Sequence, residues 1–187
     1  MEKKCTVPKE ETTALLFIDM QEKLLNAMPE SIAETIARQK ILLKAAALLK
    51  VKVVVTEQYP KGLGGTTGEL AEIFAPAWPV IEKNTFSCMG EAAVRAELEK
   101  QHIETVVLAG IETHVCVLQT AVDCMLKGFN TVLLTDAVNS RREADMHTAF
   151  RTAESAGVTL MTVESILFTL MRSSQHQSFR DISRLLR

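Results

Sequence analysis

Short runs of aliphatic and β-branched residues recur along the chain, and most are followed by a stretch with the apolar spacing of a helix. Continuous apolar runs predict strands that are buried on both faces, and the stretches between them predict amphipathic helices that cover a parallel sheet. The predicted strands lie at residues 13–18, 51–55, 79–81, 105–109, 131–134 and 158–160, and the predicted helices at 30–49, 91–101, 116–127, 144–156 and 164–170. This pattern predicts a three-layer α/β/α sandwich with a six-stranded parallel sheet, for which we expect the common strand order 3-2-1-4-5-6.

The length of the chain, 187 residues, fits one domain with a sizeable core. No run rich in Pro, Gly or Ser divides it, so we expect a single domain over residues 1–187. Within it we expect an N-terminal tail at residues 1–11 and an appended C-terminal helix within residues 172–187. The apolar fraction of 47% and the charged fraction of 24% are typical of globular proteins.

Charge and hydropathy argue against two classes of partner. The chain has 21 Lys and Arg against 23 Asp and Glu, so it lacks the basic surplus that a nucleic-acid backbone attracts, and we expect no nucleic-acid partner. The most apolar segment, residues 41–49, is broken by Lys44 and is too short to span a membrane. The first residues lack the apolar core of a secretory signal, so we expect a cytoplasmic protein.

Four cysteines, Cys5, Cys88, Cys116 and Cys124, are widely spaced along the chain. They form no C-x-x-C pair, which argues against a zinc ribbon and against a disulfide framework. We therefore expect free thiols in a reducing compartment, one of which is available for chemistry.

Three polar residues follow three of the predicted strands. Asp19 follows the first strand, Lys83 the third, and Cys116 the fourth, where the next helix begins. Ligands of doubly wound sheets bind at the carboxyl ends of strands, so we expect these side chains to meet. A nearby ammonium and a helix N-terminus lower the pKa of a thiol, and a carboxylate can carry its proton. Taken singly, a cysteine here is more often a core residue and an aspartate a turn residue.

Four sequence segments favour a catalytic role for these residues over a purely structural one. Residues 16–21 (LFIDMQ), 82–87 (EKNTFS) and 110–117 (GIETHVCV) each resemble a motif of the isochorismatase-like hydrolase family, in the same order. Residues 56–64 (TEQYPKGLG) are similar to the branch of isochorismatase-domain proteins. The resemblance covers about residues 12–170, and four motifs in order are far more specific than one.

The resemblance implies a cysteine hydrolase with an Asp–Lys–Cys triad. Asp19 would act as acid and base, and Lys83 would stabilise the thiolate. Cys116 would attack an amide- or ester-like carbonyl and form an acyl-enzyme that water releases. The family also implies a cis peptide bond at Ile111–Glu112, which would direct the Glu112 N–H, with the Cys116 N–H, at the oxyanion.

The branch of the family limits the substrate. Nicotinamidases carry an Asp-x-His pair and a later histidine that bind a metal, but residues 56–59 (TEQY) contain no histidine. The four histidines, His102, His114, His147 and His176, also lack ligand spacing. We therefore expect no metal, no other cofactor and no nicotinamidase activity. Isochorismatases cleave a vinyl ether without a cysteine nucleophile, so Cys116 argues against that reaction too.

The predicted substrate pocket is lined by Tyr59, Leu63, Phe86 and Ile111. Leu63 belongs to a glycine-rich stretch, residues 62–68, that resembles a dinucleotide-binding loop, but its third glycine is replaced by Thr67, and Tyr59-Pro60-Lys61 separates it from the strand. A mobile flap over the site is the better interpretation. Phe86 is equally well explained as a core residue.

Two functions of different class follow. The first is an amidase-like hydrolase that acts on a small-molecule substrate, and the intact triad favours it. The second is a catalytically silent family member that binds a metabolite or a protein partner in the same pocket. Related folds commonly pair through helices, so we expect a homo-oligomer.

Overall fold

The computed structural model describes residues 7–187, and residues 1–6 of the predicted N-terminal tail lie outside the described residues. Six parallel strands form one sheet with the order β3-β2-β1-β4-β5-β6, which confirms the predicted order. The strands are β1 (Thr13–Ile18), β2 (Lys52–Gln58), β3 (Val80–Lys83), β4 (Thr105–Ile111), β5 (Asn130–Asn139) and β6 (Thr159–Met161).

Helices cover both faces of the sheet. Six of them correspond to predicted helices, whereas the three short helices before residue 80 were not predicted, because a single turn carries no periodic pattern. The helices are α1 (Glu22–Leu25), α2 (Ile32–Leu49), α3 (Pro60–Leu63), α4 (Gly68–Ala71), α5 (Ala92–Glu99), α6 (Leu118–Leu126), α7 (Glu143–Ser155), α8 (Val163–Met171) and α9 (Phe179–Leu185). Short 3-10 helices lie at Glu10–Thr12 and Cys88–Gly90. No helix in residues 7–187 is long and apolar enough to cross a membrane.

The sheet separates two hydrophobic cores. Leu15 and Phe17 of β1 belong to one core, with α2 and α8, and Leu16 and Ile18 belong to the other, with α5 and α6. Successive side chains of a strand point to opposite faces, so a strand buried on both sides is apolar throughout. Every residue of β1 is accordingly buried, which is why its run of aliphatic residues was recognisable in the sequence.

Gly110 allows β1 and β4 to approach closely at their carboxyl ends. Its φ is 148°, and a Cβ at this position would lie 2.2 Å from the backbone oxygen of Ile18. Since Ile18 and Gly110 are also paired in the sheet, only glycine fits here without displacing one strand. The residues that follow the two strands therefore begin side by side.

The C-terminal helix predicted within residues 172–187 is present as α9, and it packs on the same chain. Ile182 is fully buried in the core beside α2, and the Ser178 hydroxyl donates to the Leu48 carbonyl at 3.3 Å. His176 Nε2 lies 2.8 Å from Glu10 Oε1. The last residues of the predicted tail are therefore ordered against the C-terminal segment.

Candidate active site

The three residues chosen from the strand ends meet at one point. Lys83 Nζ lies 2.7 Å from Asp19 Oδ2 and 3.6 Å from Cys116 Sγ. Lys83 ends β3, Asp19 follows β1, and Cys116 lies in a π-helical turn, Thr113–Val117, after β4. The lysine side chain is long enough to reach across the end of β2, which separates β3 from β1. The structure thus brings a carboxylate, an ammonium and a thiol together.

The Lys83 ammonium has more acceptors around it than it has hydrogen atoms to donate. An ammonium carries three N–H groups, so it cannot satisfy all of these contacts at once. Burial lowers the pKa of Lys83, but the negative charges of Asp19 and of the neighbouring thiolates, when formed, outweigh burial and raise it overall. Lys83 is therefore a fixed cation rather than a base. The acceptors, with their distances from Nζ, are Gln58 Oε1 (2.6 Å), Asp19 Oδ2 (2.7 Å), Phe86 O (3.1 Å), Thr85 O (3.2 Å) and Cys116 Sγ (3.6 Å).

The Asp19 carboxylate is fully buried beside this cation. Burial raises the pKa of Asp19, and the charge of Lys83 and hydrogen bonds from Lys83, Thr56 and Cys116 offset that rise only in part. The Thr56 hydroxyl donates to Asp19 Oδ1 at 2.8 Å. A carboxylate with a raised pKa accepts a proton more readily than an exposed one, which suits a general base.

Cys116 is only 5% exposed. Burial and, after it, the charge of Asp19 raise the pKa of its thiol, Lys83 lowers it without overcoming them, and the net result is a pKa of about 12. The predicted low pKa is therefore wrong, because the sequence showed the lysine but not the desolvation of the sulfur. The resting group is a thiol hydrogen-bonded to Asp19, so nucleophilic attack requires transfer of its proton to the carboxylate.

The predicted cis peptide bond at Ile111–Glu112 is also wrong. No peptide bond within residues 7–187 is cis, and the chain turns instead at Glu112, whose φ of 59° and ψ of 56° are left-handed. The assignment of the Glu112 and Cys116 amides to an oxyanion hole stays a prediction.

A second series of polar contacts, separate from Lys83, connects Asp19 to Cys116 through residues to which the sequence assigned no role in the site. Thr56 Oγ1 lies 3.6 Å from Cys88 Sγ, and the Cys88 N–H donates to Thr120 Oγ1 at 2.9 Å. The Thr120 hydroxyl donates to the Cys116 carbonyl at 2.7 Å. One signal was available, since Thr120 lies four residues after Cys116 and a helix places such residues on one face.

The glycine-rich segment after β2 is hydrogen-bonded to Gln21, which lies just after β1, and its predicted role as a mobile flap stays a prediction. Gln21 is fully buried, and its amide nitrogen donates to the carbonyls of Gln58 at 3.0 Å and Gly64 at 2.6 Å. Its amide oxygen accepts from the Gln58 N–H at 2.7 Å. Because Gln58 also contacts Lys83, this segment is connected directly to the triad.

The four predicted pocket residues differ in accessibility. Tyr59 and Phe86 are each 54% exposed, and the backbone of both contacts Lys83: Tyr59 N donates to Lys83 O, and Phe86 O accepts from Lys83 Nζ. Leu63 is partly buried. Their role in binding stays a prediction. Ile111 is fully buried in the core on the α2 face, so its assignment to the pocket is wrong.

No group of three or more His, Cys, Asp or Glu side chains within residues 7–187 is arranged to hold a metal ion. The expectation of chemistry without a metal or other cofactor stays a prediction. Of the four cysteines, Cys88, Cys116 and Cys124 are free and buried, and Cys5 lies outside the described residues.

The raised thiol pKa gives a testable pH dependence. We expect the alkylation rate of Cys116 by a neutral haloacetamide to rise about tenfold per pH unit through pH 9, because its pKa is about 12. The folded state also holds this proton more tightly than the unfolded chain, so the free energy of unfolding should fall as pH rises above 9. Mass spectrometry of the labelled peptide measures the rate, with Cys116→Ala as control. A plateau below pH 9 would contradict the prediction.

Comparison with known proteins places this chain in a family. Residues 13–165 match the family model described as Isochorismatase domain. Isochorismatase domain-containing protein 1 of Salmo salar is 35% identical over 176 residues, which make up 94% of this chain but only 61% of that protein. The structure named MAR1 ribonuclease from Caenorhabditis elegans is 38% identical, with a TM-score of 0.91 over 97% of this chain and 92% of that chain.

A more distant structure shares the fold. The YcaC gene product of Escherichia coli, described as an octameric hydrolase of unknown specificity, is 21% identical, with a TM-score of 0.83 over 96% of this chain and 94% of that chain. The fold and the family model together define the class of protein: the chain belongs to the isochorismatase-like hydrolase family.

Proposed function

We propose that the protein is a cysteine hydrolase that cleaves small amide- or ester-like substrates through an acyl-enzyme on Cys116. The observation that carries the proposal is the position of Lys83 Nζ, 2.7 Å from Asp19 and 3.6 Å from Cys116. A binding protein has no need of a nucleophile, a base and a fixed cation in contact. Non-peptide C–N bonds are the favoured target.

The proposed reaction begins with a neutral thiol. As Cys116 Sγ attacks the carbonyl carbon, Asp19 takes the thiol proton and a C–S bond forms. The negative charge on the carbonyl oxygen is stabilised by backbone N–H groups of the turn, for which we assign Glu112 and Cys116. Asp19 then protonates the leaving amine or alcohol as its bond to carbon breaks. Asp19 then deprotonates a water molecule, which attacks the thioester carbon. The C–S bond breaks, the acid is released, and Asp19 returns the proton to the Cys116 sulfur.

Lys83 supports both states of this reaction without exchanging a proton. Its charge favours the Asp19 carboxylate before attack and the sulfur anion during attack. The four oxygen acceptors around the ammonium hold it in place, so it does not have to reorganise as charge develops.

The exposure of the triad limits the size of the acyl group. Asp19 is 0%, Lys83 2% and Cys116 5% exposed, so these residues offer little surface to a substrate. We therefore propose a substrate with a small acyl part. The exposed rings of Tyr59 and Phe86, next to Lys83, are suited to contact the part that leaves.

The Caenorhabditis elegans structure suggests a second candidate, since its name is that of a ribonuclease. Attack on a phosphodiester would draw on the same cation and base. The formal charge of −2 argues against it, because RNA binding depends on basic side chains. A silent protein that binds a metabolite or a protein partner is the third candidate, and the buried sulfur is compatible with it.

A substrate panel separates these candidates. Wild type and Cys116→Ala are assayed against short-chain amides, carbamoyl compounds, activated esters and single-stranded RNA. We expect hydrolysis of at least one small carbonyl substrate by wild type only. RNA cleavage that needs Cys116 would favour the second candidate, and the absence of cysteine-dependent hydrolysis across the panel would favour the silent protein.

We also propose a homo-oligomer in solution. The YcaC gene product, which shares the fold, is described as octameric. The expectation of a cytoplasmic location stays a prediction.

A further inference from the structure

An ion pair connects the turn that contains Cys116 to the loop that follows β5. Glu112 begins this turn, and Arg141 lies in the loop between β5 and α7. Arg141 Nε lies 2.8 Å from Glu112 Oε1. The Glu112 side chain is 11% exposed, whereas that of Arg141 is 56% exposed. A solvent-facing guanidinium therefore holds a carboxylate that is almost buried.

The Glu112 carboxylate depends strongly on this contact. Its second oxygen, Oε2, is buried and accepts no hydrogen bond from any residue in the range 7–187. His114 Nδ1 lies 3.5 Å from that oxygen and closer, at 3.1 Å, to the Ser140 hydroxyl. The contact with Arg141, at 2.8 Å, is therefore shorter than the contact of the Glu112 carboxylate with His114, at 3.5 Å. An exposed ion pair contributes little, but a desolvated charge without its partner is costly.

The backbone of Glu112 also needs support. A left-handed conformation at a residue other than glycine persists where the surroundings hold it. One contact with the end of β5 and one with the loop that follows it do so: the Thr113 hydroxyl donates to the Asn139 carbonyl at 2.8 Å, and Arg141 binds Glu112. Together they set the direction of the peptide groups at the beginning of the turn.

We infer that Arg141 is a positioning residue of the oxyanion hole. Through Glu112 it fixes the peptide groups against which the oxyanion develops, while the sulfur is placed separately by Lys83, Asp19 and Thr120. The inference rests on the proposed function. It predicts that loss of Arg141 weakens stabilisation of the tetrahedral intermediate more than it weakens binding or the reactivity of the thiol.

The test compares Arg141→Met with Arg142→Met. Arg142 is the next residue, is exposed and makes no ion pair within the described part of the chain, so it is a matched control. For Arg141→Met we expect kcat on the panel's active substrate to fall about 10- to 100-fold, with KM changed by less than about threefold. Alkylation of Cys116 forms no oxyanion, so its rate should stay within about threefold of wild type. Arg142→Met should match wild type in both assays.

A second variant, Arg141→Lys, keeps a cation that can bind Glu112, and we expect its kcat to lie at least about threefold above that of Arg141→Met. The inference is overturned if Arg141→Met and Arg142→Met have equal kcat, if alkylation falls together with kcat, or if Arg141→Lys loses as much as Arg141→Met. These outcomes leave cysteine-dependent hydrolysis by wild type intact, which separates them from failure of the proposed function. If wild type shows no such hydrolysis, the inference fails with it.

Discussion

Replacement of Cys116 with alanine is expected to lower kcat/KM by roughly 10³-fold or more, because it removes the atom that forms the acyl-enzyme. The fold should survive, since the lost sulfur is small and lies at the edge of the core on the α6 face. Initial rates on the active substrate of the panel measure the effect. Mass spectrometry after rapid quenching should show an acyl adduct on wild type and none on the variant.

The matched control for this experiment is Cys124→Ala. Cys124 lies on the helix that follows the turn and is fully buried in the same core, but it contacts neither Asp19 nor Lys83 through a hydrogen bond or ion pair in the part of the chain described. We expect this variant to lose stability without a comparable loss of activity. Equal activity of wild type and Cys116→Ala would remove the basis of the proposed mechanism.

The second large effect is expected from Lys83→Met. Removal of one partner of a buried ion pair leaves an uncompensated charge, which costs about 3–5 kcal/mol. Here the remaining group is the Asp19 carboxylate, which has no exposed surface. We expect a loss of this size in the free energy of unfolding, measured by urea denaturation, together with loss of hydrolysis.

A double-mutant cycle isolates the pair. In Asp19→Asn/Lys83→Met no buried charge remains, so the double variant should be more stable than the sum of the single losses predicts. Lys40→Met is the control, because Lys40 and Glu69 form a pair whose side chains are 36% and 46% exposed. We expect that variant to lose less than about 1 kcal/mol. Similar losses in Lys83→Met and Lys40→Met would contradict the prediction.

The raised pKa of Asp19 determines how the stability loss caused by Lys83→Met changes with pH. Burial already raises the pKa of Asp19 in the wild type, and without the lysine the opposing charge is gone. A raised folded-state pKa means that the folded protein binds the proton more tightly, so stability is greatest at low pH and falls as pH rises through that pKa. The loss caused by Lys83→Met should therefore be smaller at pH 5 than at pH 8.

The parts of the site that the sequence predicted are those that depend on position along the chain. Asp19, Lys83 and Cys116 were chosen because each follows or ends a strand, and parallel strands place their carboxyl ends on one edge. The order of the strands then made the three positions neighbours. The resemblance of the surrounding segments to one hydrolase family pointed to the same three residues.

The predictions that were wrong or missing concern properties that depend on the burial and the neighbours of individual side chains. The pKa of Cys116 was expected to be low because a lysine is nearby, but burial and the charge of Asp19 prevail. Ile111 was expected in the pocket, yet its side chain is fully buried in the core on the α2 face. Thr56 and Gln58 lie in the segment TEQYPKGLG that resembles the family, but the sequence assigned them no role, although they contact Asp19 and Lys83 directly.

The sequence by itself determined the alternation of strands and helices, the layered architecture and the three residues that meet at the sheet edge, because these follow from periodicity, chain order and recognisable motifs. Only the tertiary structure decided the protonation state of the thiol, the geometry at Glu112 and the network that holds the ammonium. The physical reason is that desolvation and hydrogen bonding depend on atoms from distant segments. Their distances and directions are fixed only when the sheet assembles.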